Sequence, residues 1–95
     1  MLHYNKTLHS EIYEEIYNLE EAISDYKEVI LQIKKDTVHI NFRILQAQNK
    51  SFGYEYIPDM FSLREYYLLR KQRYQYYLNN ALNSVSKLRK NILTG

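Results

Sequence analysis

The chain contains no cysteine and no tryptophan, one proline, Pro58, and two glycines, Gly53 and Gly95. Without cysteine there is no disulfide scaffold, no thiol nucleophile and no zinc site built on thiolates, a composition that an intracellular protein readily shows. Long apolar runs are also missing. The longest, Tyr66 to Leu69, is far short of the roughly 20 residues a membrane-spanning helix needs, and no charged start followed by an apolar core marks a signal segment. These absences predict a cytoplasmic protein. Histidine is scarce and scattered: His3, His9 and His39 have no converging spacing, and His9 with Glu11 does not form a ligand pair on a helix. Neither a metal nor a cofactor is predicted. Glu14, Glu15, Glu20, Glu21, Asp25 and Glu28 are abundant carboxylates, but no nucleophile, histidine partner or phosphate loop accompanies them. They read as the solvated face of a helix, and the chain is expected to be non-enzymatic.

At 95 residues the chain has the size of one domain, and such a domain removes only about two-thirds of its unfolded surface from water. A large private core is therefore not expected, and a partner or a second copy would complete the burial. The 45% hydrophobic and 25% charged content is that of a folded protein. Eleven Tyr, together with frequent Ile, Asn and Lys, share A/T-rich codons, a bias that points to an A/T-rich genome such as that of a low-GC bacterium, its phages or its plasmids. Charge is divided unevenly. Residues 1–48 carry five Lys and Arg against eight Asp and Glu, whereas residues 49–95 carry eight against three. The two halves attract each other.

Thr7 is a candidate N-cap for a first helix over about residues 7–35, with Glu11, Glu14 and Glu15 where the helix dipole favours carboxylates. Ile12, Ile16, Leu19, Ile23, Tyr26, Ile30 and Ile33 follow alternating spacings of four and three. This heptad seam requires another helix against it, supplied either within the chain or by a second copy, which makes these seven residues the candidate oligomer seam. Lys34, Lys35 and Asp36 are expected to close the helix.

From Thr37 the apolar period changes. Val38, Ile40, Phe42 and Ile44 alternate with His39, Asn41 and Arg43, and after a polar tract Phe52, Tyr54 and Tyr56 alternate with Gly53 and Glu55. Alternation with β-branched residues predicts a two-stranded β-hairpin over about residues 37–57. The rival reading is that the heptad continues through Thr37, Ile40 and Ile44, giving one uninterrupted helix to about Gln48.

Pro58 fits the first turn of a second helix over about residues 59–93, and Ser62 with Glu65 has the form of a capping box. Its apolar residues fall on two neighbouring stripes, Leu63, Tyr67, Tyr74, Tyr77, Ala81 and Leu88 on one and Leu68, Leu78, Leu82, Val85 and Ile92 on the other. Together they cover a wider arc than one partner helix hides. An antiparallel pair would bring Glu11, Glu14 and Glu15 near Lys87, Arg89 and Lys90, and Asp25 and Glu28 near Arg70, Lys71 and Arg73. The expected fold is thus mainly α: an antiparallel two-helix hairpin, coiled-coil-like, with a β-hairpin at its tip, self-associating and most simply dimeric.

The most unusual local composition is residues 64–77, where four cationic residues and five Tyr stand among fourteen. Tyr and Arg are enriched at protein interface hot spots, and the same pair holds single-stranded nucleic acid through phosphates and stacked bases. Tyr67, Tyr74 and Tyr77 can equally be core. A net charge of +2 is low for a nucleic-acid-binding domain. The leading expectation is a small protein-binding adaptor or inhibitor whose contacts are Arg64, Tyr66, Arg70, Arg73, Tyr76, Phe52, Tyr54 and Tyr56. The alternatives are a dimeric nucleic-acid-binding protein using the same Tyr/Arg face and a structural subunit of a larger assembly.

Overall fold

The computed structural model describes residues 2–50 and 54–94, with side chains over residues 10–50 and 55–93. The order is α1 (Leu2–Asn49), a single 3-10 turn (Tyr54–Tyr56) and α2 (Ile57–Thr94), a helical hairpin. No helix among the described residues is long and apolar enough to cross a membrane. The chain divides into two compact units, one made of Met1–Lys27 with Tyr76–Gly95, the other of Glu28–Gln75.

The predicted β-hairpin does not form: there is no strand among the described residues, and residues 37–49 are helical. Tyr56 belongs to the 3-10 turn, as does the backbone of Tyr54, while Phe52 and Gly53 lie outside the described residues. The rival reading of one continuous helix is the correct one, and the seam explains why. Thr37, Ile40, Ile44 and Ala47 prolong the heptad of Ile30 and Ile33; Ile40, Ile44 and Ala47 are buried and Thr37 is half-buried. The period-two pattern is two interleaved helical pairs. Ile40 and Ile44 face inward one turn apart, whereas Val38 and Phe42 are 68% and 57% exposed. Burial along a seam outweighs the modest β preference of Val, Ile and Thr. Thr37 is accommodated by donating its hydroxyl to the Ile33 carbonyl at 2.8 Å, the usual arrangement for a helical threonine.

Other boundaries move with this. The first helix is already under way at Leu2, so Thr7 is not its cap, and it runs through Lys34, Lys35 and Asp36 instead of ending there. The second helix begins at Ile57, with Pro58 in its first turn where the missing N–H costs nothing. Ser62 and Glu65 therefore lie inside α2 and cap nothing.

In the first unit, Ile16 and Ile23 of α1 are buried with Leu78, Ala81 and Val85 of α2. The helices run antiparallel: Arg89 pairs with Glu20, and the Tyr77 ring lies 5.8 Å from that of Tyr26. The Arg89 partner is thus Glu20, more than one turn beyond the expected Glu11, Glu14 and Glu15. In the second unit the buried residues among those described, Ile30, Ile33, Ile40, Ile44 and Ala47, all come from α1. The α2 side of this unit presents Ile57, Met60, Arg64, Tyr67, Lys71 and Tyr74, all half-buried. These continue, at spacings of three and four, into Leu78, Ala81, Val85, Leu88 and Ile92. The α2 seam therefore draws alternately on both of the stripes seen in the sequence. Two cations, Arg64 and Lys71, occupy positions where an apolar residue is usual.

Candidate functional site

Within the second unit, Tyr56, Asp59, Leu63, Tyr66, Arg70 and Arg73 succeed one another at intervals of three and four, which places them along one flank of the α2 seam. Tyr56, Asp59, Leu63, Tyr66 and Arg73 are exposed, and Arg70 is half-buried. The lower end of this stripe opens into a depression of about 340 Å³ lined by Ile40, Arg43, Tyr56, Asp59, Met60 and Leu63. Farther along, the Tyr66 and Tyr67 rings lie 6.1 Å apart, and the Arg70 guanidinium sits 5.5 Å from the centre of the Tyr74 ring. Cation–π contact holds Arg70 against the helix surface, so less side-chain freedom remains to be lost on binding. The unit as a whole carries eight Lys and Arg against five Asp and Glu. Chemically the stripe offers an apolar hollow, a rigid aromatic ring and three guanidiniums, those of Arg43, Arg70 and Arg73. This combination suits an apolar surface bordered by carboxylates.

Of the eight predicted contact residues, the structure brings Tyr56, Tyr66, Arg70 and Arg73 together. Arg64 does not join them. It turns toward α1, donating to Asn41 Oδ1 at 3.1 Å with its guanidinium 4.6 Å above the Phe61 ring. Tyr76 belongs to the other unit, where it is 64% exposed and lies 6.2 Å from the Tyr77 ring. The side chains of Phe52 and Tyr54 lie outside the described residues. The candidate oligomer seam is occupied within the chain. Ile16, Ile23, Ile30 and Ile33 are buried and Ile12, Leu19 and Tyr26 half-buried, so these residues are not free to pair with a second copy.

A second hollow, in the first unit, was not anticipated. It measures about 450 Å³ and is lined by Tyr13, Ile16, Tyr17, Ile92 and Leu93, with the Glu20–Arg89 ion pair at its edge. The spacing of Tyr13 and Tyr17, one helical turn apart beside the Ile12–Ile16 seam, is the signal that could have located it. Tyr17 also donates to Glu21, and that hydrogen bond, followed by the carboxylate's negative charge, holds the phenol above its ordinary pKa.

Among the described residues no side-chain N or O is buried without a hydrogen-bond partner. Nor is there a group of three or more His, Cys, Asp or Glu able to hold a metal ion. Comparison with protein-family models, with curated proteins and with solved structures yields no match.

Proposed function

We propose that the chain is a protein-binding module that acts by occupying the surface of a partner, with the stripe Tyr56, Leu63, Tyr66, Arg70 and Arg73 as its contact face. The observation that carries this reading is the alignment of exposed Tyr66 and Arg73 with half-buried Arg70 along one flank of α2, continuous with a hollow lined by Ile40, Arg43, Tyr56, Asp59, Met60 and Leu63. Hot spots are built of such residues, and a half-buried, ring-stacked Arg70 makes a pre-ordered anchor. An adaptor or inhibitor needs nothing further from its own side chains.

The test is capture of partners from lysate by tagged protein, with and without nuclease, beside the double variant Arg70→Glu, Arg73→Glu. A stoichiometric protein that survives nuclease and is lost from the double variant, while far-UV helicity is retained, is the expected result. Unchanged recovery by the double variant removes this face from the reading. Recovery abolished by nuclease transfers it to single-stranded nucleic acid, for which the same Tyr66, Arg70 and Arg73 would serve. That alternative has its own signature, a steep loss of affinity as salt rises.

A further inference from the structure

The opposite flank of the second unit carries a set of exposed apolar side chains. On α1, Leu31, Val38 and Leu45 are 54%, 68% and 55% exposed and stand seven residues apart, so they form one stripe. On α2, Phe61 and Leu68 are also seven apart and exposed. A single contact places the two sets side by side. Arg64 donates to Asn41; Val38 and Leu45 are the near neighbours of Asn41 on α1, three residues before it and four after. Phe61 and Leu68 flank Arg64 on α2 in the same way.

We propose that this face docks on a second copy of the chain about a two-fold axis passing at Val38, so that two hairpins close into a four-helix arrangement. The spacing is the first argument. With Arg64 level with Asn41, Leu68 lies level with Val38 and Phe61 with Leu45, so a two-fold at Val38 sets Leu31 against the partner's Leu45, Val38 and Leu68 each against its own copy, and Phe61 toward the partner's Leu31. Apolar groups thus meet apolar groups on both helices, as an isologous interface requires.

Area is the second argument. The chain exposes 7719 Å², whereas a compact monomer of 11.6 kDa exposes about 5,800 Å². The excess belongs to the whole chain and not to this face alone, and it leaves room for the roughly 800 Å² each partner contributes to a standard interface. Charge agrees as well. Lys34 and Lys35 border the α1 stripe and Glu65 borders Leu68, so turning one copy over the other offers each Glu65 a lysine. The Arg64 charge is already engaged by Asn41 and the Phe61 ring.

The interface leaves the Tyr66, Arg70 and Arg73 flank uncovered, and the two surfaces stand or fall separately. Sedimentation equilibrium of the full chain should give a concentration-dependent mass reaching the dimer. Val38→Asp should weaken association at least tenfold, Val38→Lys likewise, and an equimolar mixture of the two should restore it. Because the chain has no cysteine, Val38→Cys adds a single thiol, and mild oxidation should link two copies much faster than in Gln46→Cys, where the thiol is exposed away from the stripe. A monomeric mass at all concentrations up to about 100 µM would overturn the proposal. So would a mixture that stays monomeric although each charged variant is folded, or Val38→Cys cross-linking no faster than Gln46→Cys. The cysteine pair decides the matter if the charged variants do not fold.

Discussion

Replacing Ile33 by alanine tests the continuous seam most directly. Ile33 is 1% exposed, the most deeply buried large side chain among the described residues. The substitution removes three carbon groups, each contributing about 0.8 kcal/mol on burial, so the transfer loss is about 2.4 kcal/mol. A cavity penalty adds to this, but a two-helix layer has little rigid protein around the void and lets side chains and water move in. The sum should therefore be about 2.5–3.5 kcal/mol, in the lower half of the range for such core truncations. For a domain of this size the melting temperature should fall by roughly 10–25 °C. Urea unfolding followed by far-UV circular dichroism at fixed protein concentration measures it. Ile33→Val should cost about 1 kcal/mol, and Lys27→Ala, at an exposed position, should stay within about 0.5 kcal/mol. A loss below about 1 kcal/mol for Ile33→Ala would mean that this residue is not enclosed, and the seam argument would fail with it.

The Glu20–Arg89 pair has side chains 47% and 59% exposed, so Arg89→Ala should change stability by no more than about 1 kcal/mol, and by less still at high salt; a larger loss in thermal melts would contradict the surface reading. The Tyr17 phenol is raised by Glu21, and because its folded value lies above the unfolded one, the contact contributes below the ordinary phenol range and is lost as pH climbs through the raised value. In an NMR pH titration of carbon-labelled tyrosine, Glu21→Gln should bring Tyr17 ionisation to lower pH; an unmoved titration would sink the assignment. Lys71 is half-buried at a seam position, and Lys71→Leu should raise stability by about 1 kcal/mol; a drop would show that the ammonium has a favourable role there.

The helical architecture was legible wherever the heptad was uninterrupted, as from Ile12 to Ile33. Residues 37–47 misled because two signals coincide there. An apolar residue at every second position satisfies a strand, yet the subset Thr37, Ile40, Ile44 and Ala47 satisfies the helix already in progress. The deciding fact is that Val38 and Phe42 point to solvent within the chain, and sequence alone does not say which apolar residues are left outside. The α2 seam was hidden for the opposite reason. Arg64 and Lys71 interrupt its apolar periodicity, so the neighbouring leucines, Leu63 and Leu68, stood out instead, although both are exposed. Of the candidate face, Tyr66, Arg70 and Arg73 were recoverable because their spacing keeps them on one side of any helix. Arg64, six residues before Arg70, lies on another side and engages Asn41.

The unequal character of the two seam halves has a physical consequence. In the first unit both helices contribute buried aliphatic residues, Ile16 and Ile23 against Leu78, Ala81 and Val85. In the second, five buried residues of α1 face an α2 surface of long or polar side chains, none of them fully buried. Arginine, lysine and tyrosine cover an apolar seam with their stems and rings while leaving charged or hydroxyl ends in water. They therefore shield α1 without locking α2 as tightly as interdigitated aliphatic groups would. In residues 64–74 the seam positions Arg64, Tyr67, Lys71 and Tyr74 are interleaved with Tyr66, Arg70 and Arg73 of the candidate contact face, so one Arg- and Tyr-rich stretch supplies both the cover of the α1 seam and the proposed binding surface.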